Sequence, residues 1–302
     1  MNDFKKPLVS IVVATYNSSK YIIETLESIK EQTYKNIEVI ISDDCSQDDT
    51  VNICKQWISE NASLPQIIKL IESPINTGVP ANFNRGITRA NGIWIKSIAG
   101  DDIFKKNAIE EYVRFITDHK ECRICMAKLE PFGISLEKCK NIELSLNKYY
   151  SILNCRNKKI QYQTALKQHI LPGPGIFYQK LLWEQIGGFN ERYTRAEEWP
   201  FEIKVTAITP IYLLDKKLVK WRQRSDSLSN NIESLTYLQN KEFYWDVRRH
   251  LIRKEFGYFA VLDFNLKYKY FQTENFVYKM LRVFSPYAYY TKIRKYIRND
   301  IL

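Results

Sequence analysis

Uninterrupted apolar runs alternate along the chain with segments whose apolar residues recur at helical spacing. "PLVSIVVATYN" (7–17) is continuous, apolar and β-branched, the pattern of a strand covered on both faces. "SSKYIIETLESIKEQ" follows, with Ile22, Leu26 and Ile29 at helical spacing and Ser18 or Ser19 as the cap. "IEVIISDDCS" predicts a second buried strand. "QDDTVNICKQWISE" predicts a second helix, capped by Ser46, with Asp48 and Asp49 in the first turn, where the backbone dipoles favour anions. Its inner stripe is Val51, Cys54 and Ile58. A strand ("QIIKLIES"), a helix ("ANFNRGITRA"), a strand ("IWIKSIA") and a helix ("KKNAIEEYVRFITDH") complete the series. Strict alternation over 7–119 predicts an α/β fold with a doubly wound, mostly parallel sheet, whose ligands bind at the carboxyl ends of the strands.

Three polar signatures fall at those ends: "TYN" after the first strand, "SDDCS" after the second and "AGDD" after the fourth. Asp101 and Asp102 are adjacent like charges, so a positive group or open water must stand beside them. The glycine-rich fingerprints of dinucleotide and P-loop sites are both absent. Beyond about residue 131 the alternation loosens. "LEKCKNIELSLNKYYSILNCRNKKIQYQTALKQH" reads as polar helix, followed by "LPGPGIFY" and "GGFNERY". "RAEEWPFEIKVTAI" predicts a helix with Glu197 and Glu198 at its start and Trp199, Ile203 and Ala207 on one face. "PIYLLDKKLVKWRQR" alternates like a pair of strands.

Composition narrows the class. At 302 residues, 45% hydrophobic and 26% charged, the chain can bury one large core with an appendage. No run approaches the ~18 apolar residues that span a bilayer, and the apolar start reads as a first strand rather than a leader. Six cysteines without a leader point to reduced thiols in the cytoplasm. Cys122 and Cys125 have zinc spacing but no partner pair, which favours buried free thiols over a structural zinc. The net charge of +11 is uneven: residues 241–302 hold 13 Lys/Arg against 6 Asp/Glu, with 17 aromatic residues among them.

Taken in order, "ATYN" (14–17), "DDCSQDDT" (43–50), "NTGVPANFNRGITRANG" (76–92), "AGDD" (99–102), "GGFNE" (187–191) and "EEW" (197–199) resemble the motif series of family 2 glycosyltransferases with the GT-A fold. That resemblance implies a glycosyltransferase domain over 1–230, with a nucleotide-binding half (7–130) and an acceptor half (131–230). Residues 231–302 then form a basic, aromatic helical extension. Thr15, Tyr16 and Asn17 lie where the family grips the nucleoside. Asp43, with Asp44, lies where a carboxylate accepts a bond from the base, and Arg85 where a basic residue meets base or diphosphate. Asp101 is placed to touch the ribose or phosphate side and Asp102 to bind Mn²⁺ or Mg²⁺, a hard cation that needs only one or two carboxylates besides phosphate. Glu198 stands at the catalytic base, with Glu197 as the alternative. Arg224, in "WRQR", occupies the place of a family histidine, where it can clamp diphosphate but cannot ligate metal. The chain departs from the family at Ala99, which replaces the first aspartate of the metal motif, and at Glu198, which is one methylene longer than the usual aspartate.

The activity so implied is inverting transfer of a sugar from a nucleotide-diphosphate sugar, by resemblance a uridine diphosphate sugar. The acceptor is a glycan, lipid-diphosphate-linked, of the O-antigen, capsule or lipooligosaccharide kind, seated between "LPGPG" and Glu198. The tail suggests two readings: an anchor to the anionic inner face of the cell membrane, making the enzyme cytoplasmic and peripheral, or helices packed back on the catalytic domain. Two rival functions remain at this stage. Ala99 keeps open a catalytically inactive scaffold of a polysaccharide assembly. The pI of about 9.2 raises a nucleic-acid-binding protein, but three acidic strand-end motifs would repel phosphate, so no nucleic acid is expected as partner.

Overall fold

Val9, Ile11, Val12 and Val13 point to alternating faces of one strand, and all are buried, which requires cover on both sides of the sheet. The computed structural model describes residues 6–63, 67–193 and 198–224, and beyond them Lys254, Tyr258, Leu262, Asn265, Leu266, Val277, Met280 and Leu281. Its first half runs β1 (Val9–Thr15), α1 (Ile22–Lys30), β2 (Ile37–Asp43), α2 (Thr50–Glu60), β3 (Ile67–Glu72), α3 (Val79–Thr88) and β4 (Trp94–Ala99). The four strands are parallel in the order β3-β2-β1-β4. The register opposes Thr15 to Asp43 and Ala14 to Ala99, so three polar signatures leave the sheet at one level.

The second half continues with β5 (Ile103–Phe104), α4 (Ala108–Asp118), β6 (Ile124–Phe132), α5 (Leu136–Asn154), α6 (Lys158–Ala165), a 3₁₀ turn at Gly173–Gly175, β7 (Ile176–Gln179), α7 (Lys180–Gln185), α8 (Glu198–Ile208) and β8 (Tyr212–Arg222). The sheet extends as β4-β7-β6-β8-β5, with β7 antiparallel to both neighbours and β6 parallel to β8. Because β7 opposes β4, the turn just before it lies beside the carboxyl end of β4. Lys96 fastens the two. Its ammonium, buried in β4, donates to the Ser97 carbonyl at 2.8 Å and the Pro174 carbonyl at 2.7 Å. It lies 5.3 and 5.8 Å from the Phe104 and Tyr112 ring centroids. Burial pushes its pKa down to about 7.

Several local expectations are corrected. Ile22, Leu26 and Ile29 are buried as their spacing predicts, but neither Ser18 nor Ser19 caps α1 with its side chain: the N-cap is Tyr21. The Ser18 and Ser19 amides are held instead by Thr50 and Asp48. Ser46 does not cap α2, which begins after Asp49, because Ser46 is engaged with Asp43. Segment 212–222 is one strand, not a pair. The exposed Asp215, Lys216 and Lys217 imitate a hairpin turn in the sequence, and a bulge opposite Lys128 absorbs them. On α8 the inward residues are Phe201, Glu202, Ile203, Val205 and Thr206, and Ala207 is exposed.

Cys122 and Cys125 are buried free thiols, and among the described residues no group of three or more His, Cys, Asp or Glu could hold a metal ion. The chain forms two compact units, Met1–Asn240 and Lys241–Leu302. The segment singled out for membrane contact lies mostly outside the described residues. Of the second unit, Tyr258, Leu262, Val277, Met280 and Leu281 are helical with exposed side chains. No helix among the described residues is long and apolar enough to cross a membrane.

Candidate active site

The loops after β1 and β2 are sewn together by side chains. Asn17 takes a left-handed backbone, φ 50°, which asparagine tolerates better than most residues. Its amide donates to the Ser46 hydroxyl at 2.9 Å, and its side-chain carbonyl accepts the Gln47 amide at 2.8 Å. Thr15 donates to Asp43 Oδ2 at 2.8 Å, and Ser46 donates to the same carboxylate through its amide (2.8 Å) and hydroxyl (2.5 Å). Tyr16, between them, is 43% exposed at the edge of the cleft.

Asp43 and Asp44 are both buried but differ in what they have left to offer. A carboxylate has about four acceptor positions. At Asp44 four donors reach them: the Thr77 amide (2.9 Å) and hydroxyl (2.6 Å), the Gly78 amide (2.7 Å) and Arg85 (3.0 Å). Asp43 accepts three bonds, so one position stays open. Arg85, on the buried side of α3, also donates to Thr77 at 2.6 Å and to Asn82 at 3.0 Å. Asp44 thus holds both the 76–78 loop and the guanidinium.

At the end of β4, Gly100 lets the chain pass β1: a Cβ there would meet Thr15 Cγ2 at 2.9 Å. This brings Asp101 and Asp102 against the first motif. The positive groups their charges demand come from the end of β8. Arg224 lies 3.4 Å from Asp101 Oδ2, and Arg222 donates through Nε to the Asp101 carbonyl at 2.8 Å. The Arg222 amide donates to Asp102 Oδ1 at 2.8 Å, and both guanidiniums lie over the Tyr21 ring. Of the two conditions the sequence allowed, a positive group or open water, Asp102 meets the first: it is 2% exposed. Burial, and then the Asp101 charge, raise its pKa well above the usual carboxylate range. Asp101 is the more accessible of the two, with 22% of its side chain exposed.

In the second half of the sheet, Glu198 opens α8. Its Oε1 accepts the Gly173 amide at 2.6 Å, which places it on the turn that Lys96 binds to β4. A Cβ at position 173 would stand 2.0 Å from that oxygen, so any larger residue there would push the Glu198 carboxylate off the amide. Glu198 Oε2 lies 3.0 Å from His169 Nε2. The "GGF" turn, with Gly187 and Gly188 at φ 74° and 68°, docks on α3. There Asn84 exchanges bonds with the Phe189 amide (3.0 Å) and carbonyl (2.9 Å).

Thr15, Tyr16, Asn17, Asp43, Asp44, Arg85, Asp101, Asp102 and Arg224 therefore gather at one edge of the sheet, and Glu198 is tied to the same edge through Gly173 and Lys96. Glu197 lies outside the described residues. Sequence reasoning missed His169 and Glu202. The available signal was the pair Glu198 and Glu202 at i,i+4, on one helix face, with a histidine just upstream of "LPGPG".

A model of the family described as Glycosyl transferase family 2 matches residues 10–186. The putative glycosyltransferase EpsE of Bacillus subtilis (strain 168) is 33% identical over 131 residues, 42% of this chain and 46% of EpsE. The putative teichuronic acid biosynthesis glycosyltransferase TuaG of the same organism is 32% identical over 113 residues, covering 37% and 43%. An uncharacterized glycosyltransferase of Haemophilus influenzae is 27% identical over 265 residues, covering 78% and 75%. The chain thus spans less than half the length of EpsE and of TuaG. Among solved structures, S. aureus TarS 1-349 in complex with UDP-GlcNAc superposes with a TM-score of 0.57 at 19% identity, over 86% of this chain and 81% of that one. The Pyrobaculum calidifontis mannosyltransferase PcManGT, in complex with GDP-Man and Mn²⁺, gives 0.57 at 15% identity, over 96% and 87%. At such identities the likeness shows the fold, which is GT-A.

Proposed function

The chain belongs to glycosyl transferase family 2, and on that premise we propose that it is an inverting glycosyltransferase of bacterial surface-polysaccharide synthesis, taking a nucleotide-diphosphate sugar as donor. The observation that carries this reading is the tie between the two halves of the cleft. Glu198 rests on Gly173, whose turn is bound to β4 by Lys96, and β4 ends in Asp101 and Asp102. A base is thereby held at the edge where nucleotide-binding residues converge.

Asp43, with one acceptor position open beside Tyr16, is suited to the base of the nucleotide. Asp44 serves it indirectly by fixing Arg85. Arg85 and Arg224 are placed for the diphosphate, Arg224 leaving its ion pair with Asp101 as the anion enters. TarS complexes contain UDP and UDP-GlcNAc, which favours a uridine donor.

A divalent cation, Mn²⁺ or Mg²⁺, fits this edge as a guest shared with the nucleotide, since the described residues offer two carboxylates there and no third ligand. Asp101 and Asp102 would hold it, and exposure favours Asp101 as the direct ligand over the buried Asp102. When bound, it would stabilise the leaving diphosphate as a Lewis acid.

In the reaction, the acceptor oxygen forms a bond to the anomeric carbon while the bond from that carbon to the diphosphate oxygen breaks. The acceptor's proton passes to Glu198. One displacement inverts the anomeric centre. The test is transfer of labelled sugar to a lipid-linked glycan extract. Glu198→Gln should lose roughly 10²–10⁴-fold in kcat with donor affinity unchanged. Near-wild-type transfer by that variant would remove Glu198 from the role.

A further inference from the structure

His169 sits between two carboxylates of α8. Its Nε2 is 3.0 Å from Glu198 Oε2 and its Nδ1 is 2.9 Å from Glu202 Oε2. Glu202 is fully buried, and both its oxygens accept the Ile170 amide, at 3.1 and 3.0 Å. The backbone that follows His169 is therefore anchored to the same carboxylate that faces its ring. A carboxylate at that depth is costly without a positive partner, and the imidazole is the group that meets it.

The ionisable groups facing the ring among the described residues are Glu198 and Glu202 of α8 and Tyr149 of α5, whose ring centroid is 6.2 Å away. Burial alone would lower the imidazole pKa. The Glu202 charge, with the bonds and charge of Glu198, overcomes this and raises it well above its ordinary value.

We propose that His169 is the positioning residue of the Glu198 base: fixed from behind by Glu202, it holds one oxygen of that carboxylate while the Gly173 amide holds the other. The inference rests on the reading of Glu198 as the base. With both oxygens restrained, Glu198 presents its remaining lone pairs in one direction, toward the acceptor.

The test compares full-length wild type with His169→Ala, His169→Gln, Glu202→Gln and Glu198→Gln, reading kcat, donor KM and rescue by added imidazole. His169→Ala should lower kcat by about 10²-fold, the scale expected when a reacting group is misplaced by an ångström. Donor KM should stay within about twofold of wild type, since Glu198 acts on the acceptor. His169→Gln, which keeps an N–H toward Glu198, should recover part of the rate, and added imidazole should partly rescue His169→Ala. Should His169→Ala not fold, Glu202→Gln, of equal size, carries the same prediction with a smaller loss.

Wild-type kcat in a folded His169→Ala would overturn the proposal. So would a parallel loss of kcat and donor affinity with no imidazole rescue, the mark of general structural damage. Failure of the underlying reading is distinct: in that case Glu198→Gln itself retains activity.

Discussion

Asp44 accepts four hydrogen bonds and Asp43 three, and this difference separates two carboxylates that look equivalent in "SDDCS". Asp44→Asn should therefore act on stability first. It leaves Arg85 without its charge partner and puts an amide where donors converge. A loss of about 3–5 kcal/mol in urea unfolding is expected, the range for breaking a buried ion pair. A change below about 1 kcal/mol would show that the network is not worth what its geometry suggests. The sequence marks these residues as important because they end strands, but acceptor counting needs the fold. His169 was illegible for the same reason: its partners lie 29 and 33 residues downstream and meet it only through the packing of α8. The exposed Cys155 and the buried Cys54 differ likewise. Burial pushes the Cys54 thiol up to about 12, so a maleimide at pH 7.5 should label Cys155 and spare Cys54 in the folded protein. Equal labelling rates under native conditions would contradict this.

Elements of the parallel half were legible because each strand there is a short, mostly apolar run and each helix an amphipathic one. Beyond β4 the strands are short or bulged, and charge within β8 imitated a turn. Close approach between elements was not legible. Gly86 of α3 is a case: a Cβ would meet Val12 Cγ1 at 2.5 Å, so Gly86→Ala should cost about 1–3 kcal/mol by overpacking despite its better helix propensity. An unchanged thermal midpoint would mean that α3 can lift off β1 at little cost. Lys96 binds β4 to the Gly173 turn, and its amine carries a pH signature. Its folded pKa is about 7 against 10.5 ordinarily, so between those values the unfolded chain binds more protons. Stability therefore rises with pH across that window. The difference between wild type and Lys96→Met in urea unfolding should grow in favour of wild type from pH 7 to pH 9. A difference independent of pH would place the amine in water rather than in the core.

At the scale of the whole molecule, charge distinguishes the two units. Residues 241–302 carry 13 Lys/Arg against 6 Asp/Glu, and five described apolar side chains there are exposed. We propose that this unit holds the enzyme at an anionic membrane surface, near a lipid-linked acceptor. Lysines and arginines near such a surface contribute about 1 kcal/mol each, and aromatic rings settle at headgroup depth. Co-sedimentation with phosphatidylglycerol vesicles should be strong at low salt, weaker at high salt and lost on deletion of 276–302. Absence of sedimentation at low salt would contradict the proposal. The composition of this unit was plain in the sequence, whereas its use depends on an acceptor that only the neighbouring unit's chemistry implies. That chemistry depends on one claim, that the carboxyl edge of β1, β2 and β4 holds a nucleotide sugar. Calorimetric titration of nucleoside diphosphates with Mn²⁺ into wild type, Arg85→Met and Glu198→Gln tests it most directly. The account predicts saturable binding of one of them, UDP foremost, unchanged in Glu198→Gln and about tenfold or more weaker in Arg85→Met, the worth of a charge-assisted hydrogen bond. No binding of any nucleoside diphosphate to the wild-type protein, or equal binding to Arg85→Met, would contradict it.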